Sequence, residues 1–197
     1  MLSALVVAAI LSGLSASPMA VVKDGSAEVQ RLLASKGVTA EKLAAKADDF
    51  VDFAELARRA LGKEWEKLSK KQQGEFAQTM KALLRASYAQ KAIKDGQGSA
   101  NFTYDSETVN GNDAEVATTL LVNKDKLPVV YKLYRGDAKS AWRIYDVVTD
   151  DVSLLATYRD QFRKLIAEKG YDGLLTTLKS KRDQLEKAVA AAPQPSN

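Results

Sequence analysis

The chain has 197 residues, of which 46% are hydrophobic and 27% are charged, a composition typical of a soluble globular protein. It contains no cysteine and no histidine, which excludes disulfides, thiol nucleophiles and cysteine or histidine metal ligands. Because histidine is the commonest general base, its absence also disfavours hydrolase chemistry. The net charge of +4 suits contact with an anionic membrane surface or with phosphate groups, but it does not indicate nucleic-acid binding.

Residues 1–22 carry no charged side chain. The apolar run at residues 2–14 is shorter than the roughly 20 residues that span a membrane, and it resembles the core of a secretory signal. The alternative is an ordinary apolar N-terminal helix. We therefore predict a signal-like segment at residues 1–22, one domain at residues 23–189 and a disordered tail at residues 190–197.

Capping signals mark the first helices of the domain. Ser26 is expected to cap a short helix through Leu33, and Thr39 opens a second helix with a weak apolar face. Asp52 and Glu55, and then Ser69 and Gln72, have the spacing of a capping box. The helices that these two boxes open should cover residues 53–61 and 70–94.

The hydrophobic period then changes from that of helices to that of strands. Four segments alternate between apolar and polar residues and are separated by short polar links, which favours antiparallel hairpins. The four predicted strands cover residues 101–106, 115–122, 127–135 and 141–148.

The fourth strand turns into a helix at Asp150 and Asp151. An aspartate at this junction can accept a hydrogen bond from the first helix N–H groups. The helix should bury a stripe that begins at Val152, and a last helix should follow Gly170. Alternation along the strand assigns Trp142, Ile144, Asp146 and Val148 to one side and Arg143, Tyr145 and Val147 to the other.

Arg159 falls inside the apolar arc of the helix after the fourth strand. A buried guanidinium needs a partner, because an isolated charge is very costly away from water. One interpretation is structural: Arg159 forms a salt bridge, for example to Asp146, or its aliphatic stem is buried while its guanidinium reaches solvent at the rim of the core. The other is that Arg159 binds an anionic ligand at the mouth of a cavity between helix and sheet.

The order of helices, strands and helices predicts an α+β domain. We expect a curved antiparallel four-stranded sheet packed by N-terminal and C-terminal helices. Such a sheet can leave an apolar pocket between its concave face and the helices.

Several motifs carry a family resemblance over residues 49–162. W-R-I-Y-D-V is followed by V-S-L-L-A-T-Y-R-D-Q-F near the C-terminal end of this region, and two upstream segments match in the expected order. The upstream matches are Asp52, Ala57, Leu61, Gly62 and Trp65, and then Gln73, Phe76, Leu83, Leu84 and Tyr88. The chain thus resembles the MlaC family of periplasmic phospholipid-binding proteins, also called toluene-tolerance auxiliary proteins.

The resemblance implies a soluble periplasmic carrier that shuttles phospholipid and maintains the lipid asymmetry of the outer membrane. It implies two partners, an outer-membrane lipoprotein–porin complex and an inner-membrane ABC transporter with a lipid-binding subunit. No catalysis, cofactor or metal is expected, and we expect a monomer.

Thirteen side chains are candidates for lipid binding. Twelve are aromatic or aliphatic and suit acyl chains, and Arg159 is the candidate for the phosphate as a charge-assisted donor. The twelve are Phe76, Met80, Leu84, Tyr88, Leu120, Tyr131, Leu133, Trp142, Ile144, Leu155, Tyr158 and Phe162.

Two other classes of function stay open. An isomerase-like enzyme with a cone-shaped apolar pocket could use Asp146 as a base and Tyr145 or Tyr131 as a donor. Neighbours on a strand point to opposite faces, however, so Asp146 and Tyr145 should not share a pocket. The third class is a non-catalytic interaction module that binds no ligand.

Overall fold

The computed structural model describes residues 16–95, 101–122 and 125–191. Helices and strands follow one another in the predicted order of helices, strands and helix. The helices are α1 (Pro18–Leu33), α2 (Ala40–Ala47), α3 (Phe53–Leu61), a 3-10 helix (Gly62–Lys67), α4 (Lys70–Asp95) and α5 (Leu154–Ala191). The strands are β1 (Asn101–Asn110), β2 (Asp113–Val122), β3 (Asp125–Tyr134), β4 (Arg143–Thr149) and β5 (Val152–Ser153).

The predicted caps of three helices are confirmed. The Thr39 hydroxyl accepts a hydrogen bond from the Lys42 N–H, and the Asp52 carboxylate accepts one from the Glu55 N–H at 2.9 Å. Ser69 and Gln72 form a reciprocal capping box, because each side chain accepts a hydrogen bond from the backbone N–H of the other residue. These bonds satisfy N–H groups that have no partner within their own helix, and so they fix where the helices begin.

Helix α1 begins earlier than the sequence indicated. The expected start at Ser26 is wrong, because the helix begins at Pro18, where Ser17 accepts a hydrogen bond from the Ala20 N–H. Val22 is only 1% exposed and packs among residues of the sheet. Residues 18–22 therefore belong to the folded domain. Residues 1–15 of the signal-like segment lie outside the described residues, as do residues 192–197 of the predicted tail.

The sheet is antiparallel and open, with its strands in the order of the sequence. Within the part of the chain that the structure describes, the sheet has five strands, so the expected count of four is wrong. The fifth strand is short, and it pairs with β4 through a turn that places Thr149 opposite Val152. Asp150 and Asp151 form this turn with φ values of 49° and 61°. Two positive φ values in a two-residue loop are typical of a type I′ hairpin, in which aspartate is tolerated.

The cap of α5 also differs from the prediction. Ser153, not Asp150 or Asp151, accepts a hydrogen bond from the Ala156 N–H, at 2.9 Å. Val152 belongs to β5 and is 61% exposed, so it is not part of the buried helix stripe. Both aspartates lie in the hairpin turn, so the residue that caps the helix lies closer to the C-terminus than predicted.

A bulge in β4 changes the side on which its residues lie. Lys132 of β3 pairs with Asp146, whereas the next residue, Leu133, pairs with Ile144, so Tyr145 is an extra residue in β4. Such an insertion shifts the alternation of the strand. Val147 therefore lies on the Ile144 side, and Asp146 and Val148 lie on the other, so the predicted assignment of these three residues is wrong. A second bulge interrupts β1 at Asp105, between the register positions of residues 104 and 106.

The core is divided into three clusters of buried side chains. Cluster 1 joins α3, α4 and α5 to Tyr145 of the sheet and includes Leu56, Phe76 and Phe162. Cluster 2 joins α1 to the inner strands. Cluster 3 is small and joins α2 to α1. Phe50 and Val51 pack against cluster 2, and the backbone of residues 50–52 forms hydrogen bonds with Ile144 of β4 at 2.8 and 2.9 Å.

Helix α5 is two helices joined at Gly170, as the sequence predicted. This glycine has φ 68° and ψ −179°, a conformation that interrupts the helix and that side chains disfavour. The second half returns to cluster 1 through Leu174, Leu175 and Leu178.

Candidate functional site

An apolar cavity of about 410 Å³ lies where the three clusters meet. Its volume falls within the roughly 300–1,000 Å³ that ligand pockets occupy. Its wall contains members of all three clusters, so the core is hollow between them. The lining residues are Val29, Leu43, Ala44, Ala47, Val51, Phe53, Leu56, Leu84, Arg85, Tyr88, Ile144, Tyr145, Asp146, Val147, Thr149 and Leu154.

Small side chains of α2 help to keep this space open. Ala44 and Ala47 face the cavity from a short helix whose third lining residue is Leu43. A helix packed with larger residues would bring its side chains into contact with the opposite wall, since protein interiors normally contain few voids. The opposite wall is β4, and the bulge at Tyr145 brings Tyr145 and Asp146 together in it.

Among the described residues that line the cavity, Asp146 is the only acidic one, and it is 2% exposed. Its two carboxylate oxygens accept hydrogen bonds from the Ser153 hydroxyl at 2.7 Å and from the Leu155 N–H at 2.9 Å. Buried carboxylates need such donors. These bonds hold the start of α5 against β4, which gives Asp146 a positioning role in the wall.

Tyr88 and Tyr158 lie near one another at the α4–α5 side of the cavity. Burial raises the pKa of the Tyr158 hydroxyl to about 12. Burial also raises the pKa of Tyr88, although that residue is 47% exposed. Both phenols are therefore neutral at physiological pH, as an apolar site requires.

A smaller cavity of about 210 Å³ adjoins the first and shares Val51 and Phe53 with it. Its wall is more polar. The lining residues are Asp48, Val51, Asp52, Phe53, Ala54, Ala77, Gln78, Lys81 and Arg143. The carboxylate of Asp48 pairs with Lys81 at 2.8 Å and also with Arg85 of the larger cavity.

Three of the thirteen candidate residues line the larger cavity, namely Leu84, Tyr88 and Ile144. The others lie elsewhere among the described residues, and their role in lipid binding stays a prediction. Phe76, Met80, Leu155, Tyr158 and Phe162 pack in cluster 1, and Tyr131, Leu133 and Trp142 pack in cluster 2. Leu120 is half-buried on β2.

Arg159 is exposed, so the expectation of a buried guanidinium is wrong. It donates a hydrogen bond to the backbone carbonyl of Arg59 at 3.3 Å. The proposed salt bridge to Asp146 is also wrong, because the Ser153 hydroxyl and the Leu155 N–H occupy that carboxylate. The helix can expose Arg159 because Val152, which helped to define the apolar arc, is not part of it.

Sequence reasoning missed the α2 wall and Arg85, and it considered Asp146 only as the base of an isomerase-like enzyme or as the partner of Arg159. The weak apolar face of α2 was the available signal, because small residues on a helix face leave room beside it. Arg85 had no such signal, since its position beside Asp48 depends on how α2 packs against α4.

Among the described residues, no group of acidic side chains is arranged to hold a metal ion. Within the same ranges, no helix combines the length and the apolar character needed to cross a bilayer.

Comparison with known proteins agrees with this architecture. The family model described as MlaC protein matches residues 19–180. The intermembrane phospholipid transport system binding protein MlaC of Haemophilus influenzae is 20% identical over 137 residues, which are 68% of this chain and 64% of that protein. The chain thus spans about two thirds of the length of this relative.

The fold is also that of a phospholipid-binding protein from Ralstonia solanacearum, whose structure was determined in complex with a phospholipid. The TM-score is 0.77 at 22% sequence identity, and the match covers 87% of this chain and 99% of that one. Since the family model covers most of the chain, from α1 into the second half of α5, the chain belongs to the MlaC family.

Proposed function

We propose that this protein binds a phospholipid by its acyl chains and carries it between two membranes of the cell envelope. The observation that carries the proposal is the apolar cavity at the meeting point of the three core clusters. A junction between core clusters is normally filled by large side chains. Here α2 contributes the small side chains of Ala44 and Ala47, so space remains. The two relatives, one named for phospholipid transport and one bound to a phospholipid, support the same ligand.

The energetics of lipid transfer explain why a hollow core is needed. Each CH₂ group removed from water contributes about 0.8 kcal/mol, so an acyl chain of about sixteen carbons is worth roughly 12 kcal/mol. A free phospholipid therefore almost never crosses an aqueous compartment alone. A carrier must offer an interior about as apolar as the bilayer, because a much tighter site would not release the lipid.

The wall of the larger cavity meets this requirement. Its aliphatic and aromatic lining gives no strong directional contacts to an acyl chain, and its buried carboxylate already has two donors. Acyl chains of different length and unsaturation should therefore be accepted. Tyr88, which lines the cavity and is half-exposed, marks the side on which a lipid would enter.

The proposed compartment is the periplasm. The proposed partners are an outer-membrane lipoprotein–porin complex and an inner-membrane ABC transporter with a lipid-binding subunit. Family membership supports both assignments. In this arrangement the protein exchanges lipid at each membrane and performs no chemistry on it.

An isomerase-like activity is less well supported, although the β4 bulge does bring Tyr145 and Asp146 to one cavity. A general base must lie within hydrogen-bond reach of the proton that it removes and must be free to turn toward it. Asp146 accepts hydrogen bonds at both oxygens, and the Tyr145 ring is covered by the Arg59 guanidinium at 3.8 Å. Both side chains therefore have structural roles in the wall.

Mass spectrometry of lipid extracted from the purified protein tests the proposal. We expect close to stoichiometric phospholipid. The double variant A44F/A47F fills the cavity from α2, so its rings compete with the acyl chains for the same space, and we expect it to retain about ten-fold less lipid, which corresponds to about 1.4 kcal/mol of binding free energy. A167F adds the same ring to an exposed position of α5 and is the matched control.

Three results would contradict the proposal. Purified protein without lipid that also fails to take phospholipid from vesicles would remove the carrier function. Turnover of a steroid or similar small ketone would favour the enzyme. Equal lipid retention by A44F/A47F and A167F would show that the cavity is not where the acyl chains bind.

A further inference from the structure

The two cavities meet at a cluster of charged side chains that the acyl-chain site does not explain. Lys81 and Arg85 lie one turn apart on α4, and both pair with the same carboxylate oxygen of Asp48, which follows α2. Arg85 lines the larger, apolar cavity, whereas Lys81 and Asp48 line the smaller one. The cluster therefore lies at the boundary between an apolar space and a polar space.

The charges of this cluster do not balance. Two cations face one carboxylate, so an excess of one positive charge remains beside the cavities. Arg143, a third cation lining the smaller cavity, donates hydrogen bonds to the backbone carbonyls of Asp48, Asp49 and Val51. These carbonyls carry no net charge, and Asp52, a second carboxylate that lines the smaller cavity, offsets the charge of Arg143, so the excess stays at one positive charge.

The hydrogen bonds of the cluster are also incomplete. The Nε–H of Arg85 and the Oδ1 of Asp48 are buried and have no hydrogen-bond partner among the described residues. Buried polar groups are normally paired. Asp48 is thus held through one oxygen only, and Arg85, which lines the apolar cavity, keeps an unused Nε–H donor.

We infer that Lys81 and Arg85 bind the phosphate of the lipid head group, an inference that rests on the proposed carrier function. A phosphodiester carries a single negative charge, which matches the excess charge of the cluster. It also supplies acceptor oxygens for the free Nε–H of Arg85, and arginine binds phosphate well because its donors form a planar fork. The side chains of Lys81, Arg85 and Asp48 are 38%, 31% and 28% exposed, so a head group here remains partly hydrated.

Asp48 has a defined role in this site. Its carboxylate occupies the two cations when no phosphate is present and competes with the phosphate when lipid enters. The competition limits the affinity, and a carrier that must release its lipid needs such a limit. Removing the carboxylate should therefore strengthen phosphate binding, whereas removing the cations should weaken it.

The experiment compares two short-chain ligands with the same acyl chains, phosphatidylglycerol and diacylglycerol, on the delipidated full chain. We expect the affinity of K81Q/R85Q for phosphatidylglycerol to fall about ten-fold further than its affinity for diacylglycerol, because only phosphatidylglycerol loses hydrogen bonds to charged groups. The affinity of R85K for phosphatidylglycerol should lie between the affinities of the wild type and K81Q/R85Q. D48N should bind phosphatidylglycerol more tightly than the wild type does. K164Q, which removes an exposed charge from α5, is the matched control.

The alternative is that the cluster only clamps α2 against α4. In that case K81Q/R85Q and D48N would both unfold at lower denaturant concentration and would lose both ligands equally, which would overturn the inference. Unchanged binding of phosphatidylglycerol in K81Q/R85Q would overturn it as well. If the wild type binds neither ligand, the carrier function itself fails, which is a different result.

Inorganic phosphate separates the two sources of the anion. Displacement of phosphatidylglycerol by phosphate in the wild type, but not in K81Q/R85Q, would show that the site takes a free phosphate group. Displacement that is equal in both proteins would place the phosphate elsewhere and would overturn the assignment to Lys81 and Arg85.

Discussion

The carboxylate of Asp146 in β4 accepts a hydrogen bond from the backbone N–H of Leu155, the second residue of α5, at 2.9 Å. Its other oxygen accepts a hydrogen bond from the Ser153 hydroxyl, which in turn caps the helix. One buried side chain thereby fixes the angle at which α5 leaves the sheet. The angle matters because Leu154 and Asp146 both line the larger cavity.

Replacement of Asp146 should therefore destabilise the fold. D146A leaves the Leu155 N–H without its acceptor in a buried site, and we expect a loss of about 2 kcal/mol in the free energy of unfolding. D146N should lose less, since its amide oxygen can still accept that bond. Denaturant titration gives both values. D172A, at an exposed position of α5, is the control, and equal stability of D146A and D172A would contradict the assigned role.

Substitutions in the hairpin turn between β4 and β5 should stabilise the protein. Asp150 and Asp151 both have positive φ, a conformation that side chains disfavour and that Asn-Gly adopts more readily. D150N/D151G should raise the free energy of unfolding by about 1 kcal/mol, and thermal unfolding would measure it. Glycine within a helix has the opposite effect. As a comparison, D160G on α5 should lower the free energy of unfolding by about 1 kcal/mol. A loss in both variants would show that the turn is not strained.

Glu55 should make the stability of the protein depend on pH. Hydrogen bonds from Arg58 and also from Arg59 hold the pKa of the Glu55 carboxyl below its usual value of 4.5. A lowered pKa in the folded state stabilises the protein above pH 4.5, and this contribution is lost as the pH falls through the folded-state pKa. We expect the free energy of unfolding of the wild type to exceed that of E55Q by about 1 kcal/mol at neutral pH and by less near pH 3.

Urea unfolding of both proteins across this pH range tests the Glu55 prediction. The control is E64Q, because Glu64 forms an exposed salt bridge with Lys67, and such pairs contribute little. A constant difference between the wild type and E55Q from pH 7 to pH 3 would refute the linkage.

The sequence predicted the fold where the signal was local. The capping boxes at Asp52 and Ser69 gave helix starts that the structure confirms, and Gly170 marked the break in α5. The alternation of apolar and polar residues predicted the four long strands in their observed order. These features depend on residues a few positions apart, so a single chain is enough to reveal them.

The predictions failed where structure depends on residues distant in the chain or on an irregular backbone. Alternation assumes a regular strand, and so the bulge at Tyr145 reversed the sides of Asp146 and Val147. The start of α1 at Pro18 depends on contacts of Val22 with the sheet. The cavity was predicted as a type of site, but its lining was not, because an apolar residue that packs and one that faces a void look alike in a sequence.

The extra residue at Asp105 in β1 has a consequence for how copies of this protein behave toward one another. Strand β1 forms one border of the open sheet, where unpaired N–H and C=O groups could recruit a strand of a neighbouring molecule. A local kink with a carboxylate at its centre, and Glu107 close by, makes that border irregular and negatively charged. Such a border disfavours edge-to-edge pairing between copies of the chain, and so it protects the folded protein from one route to aggregation.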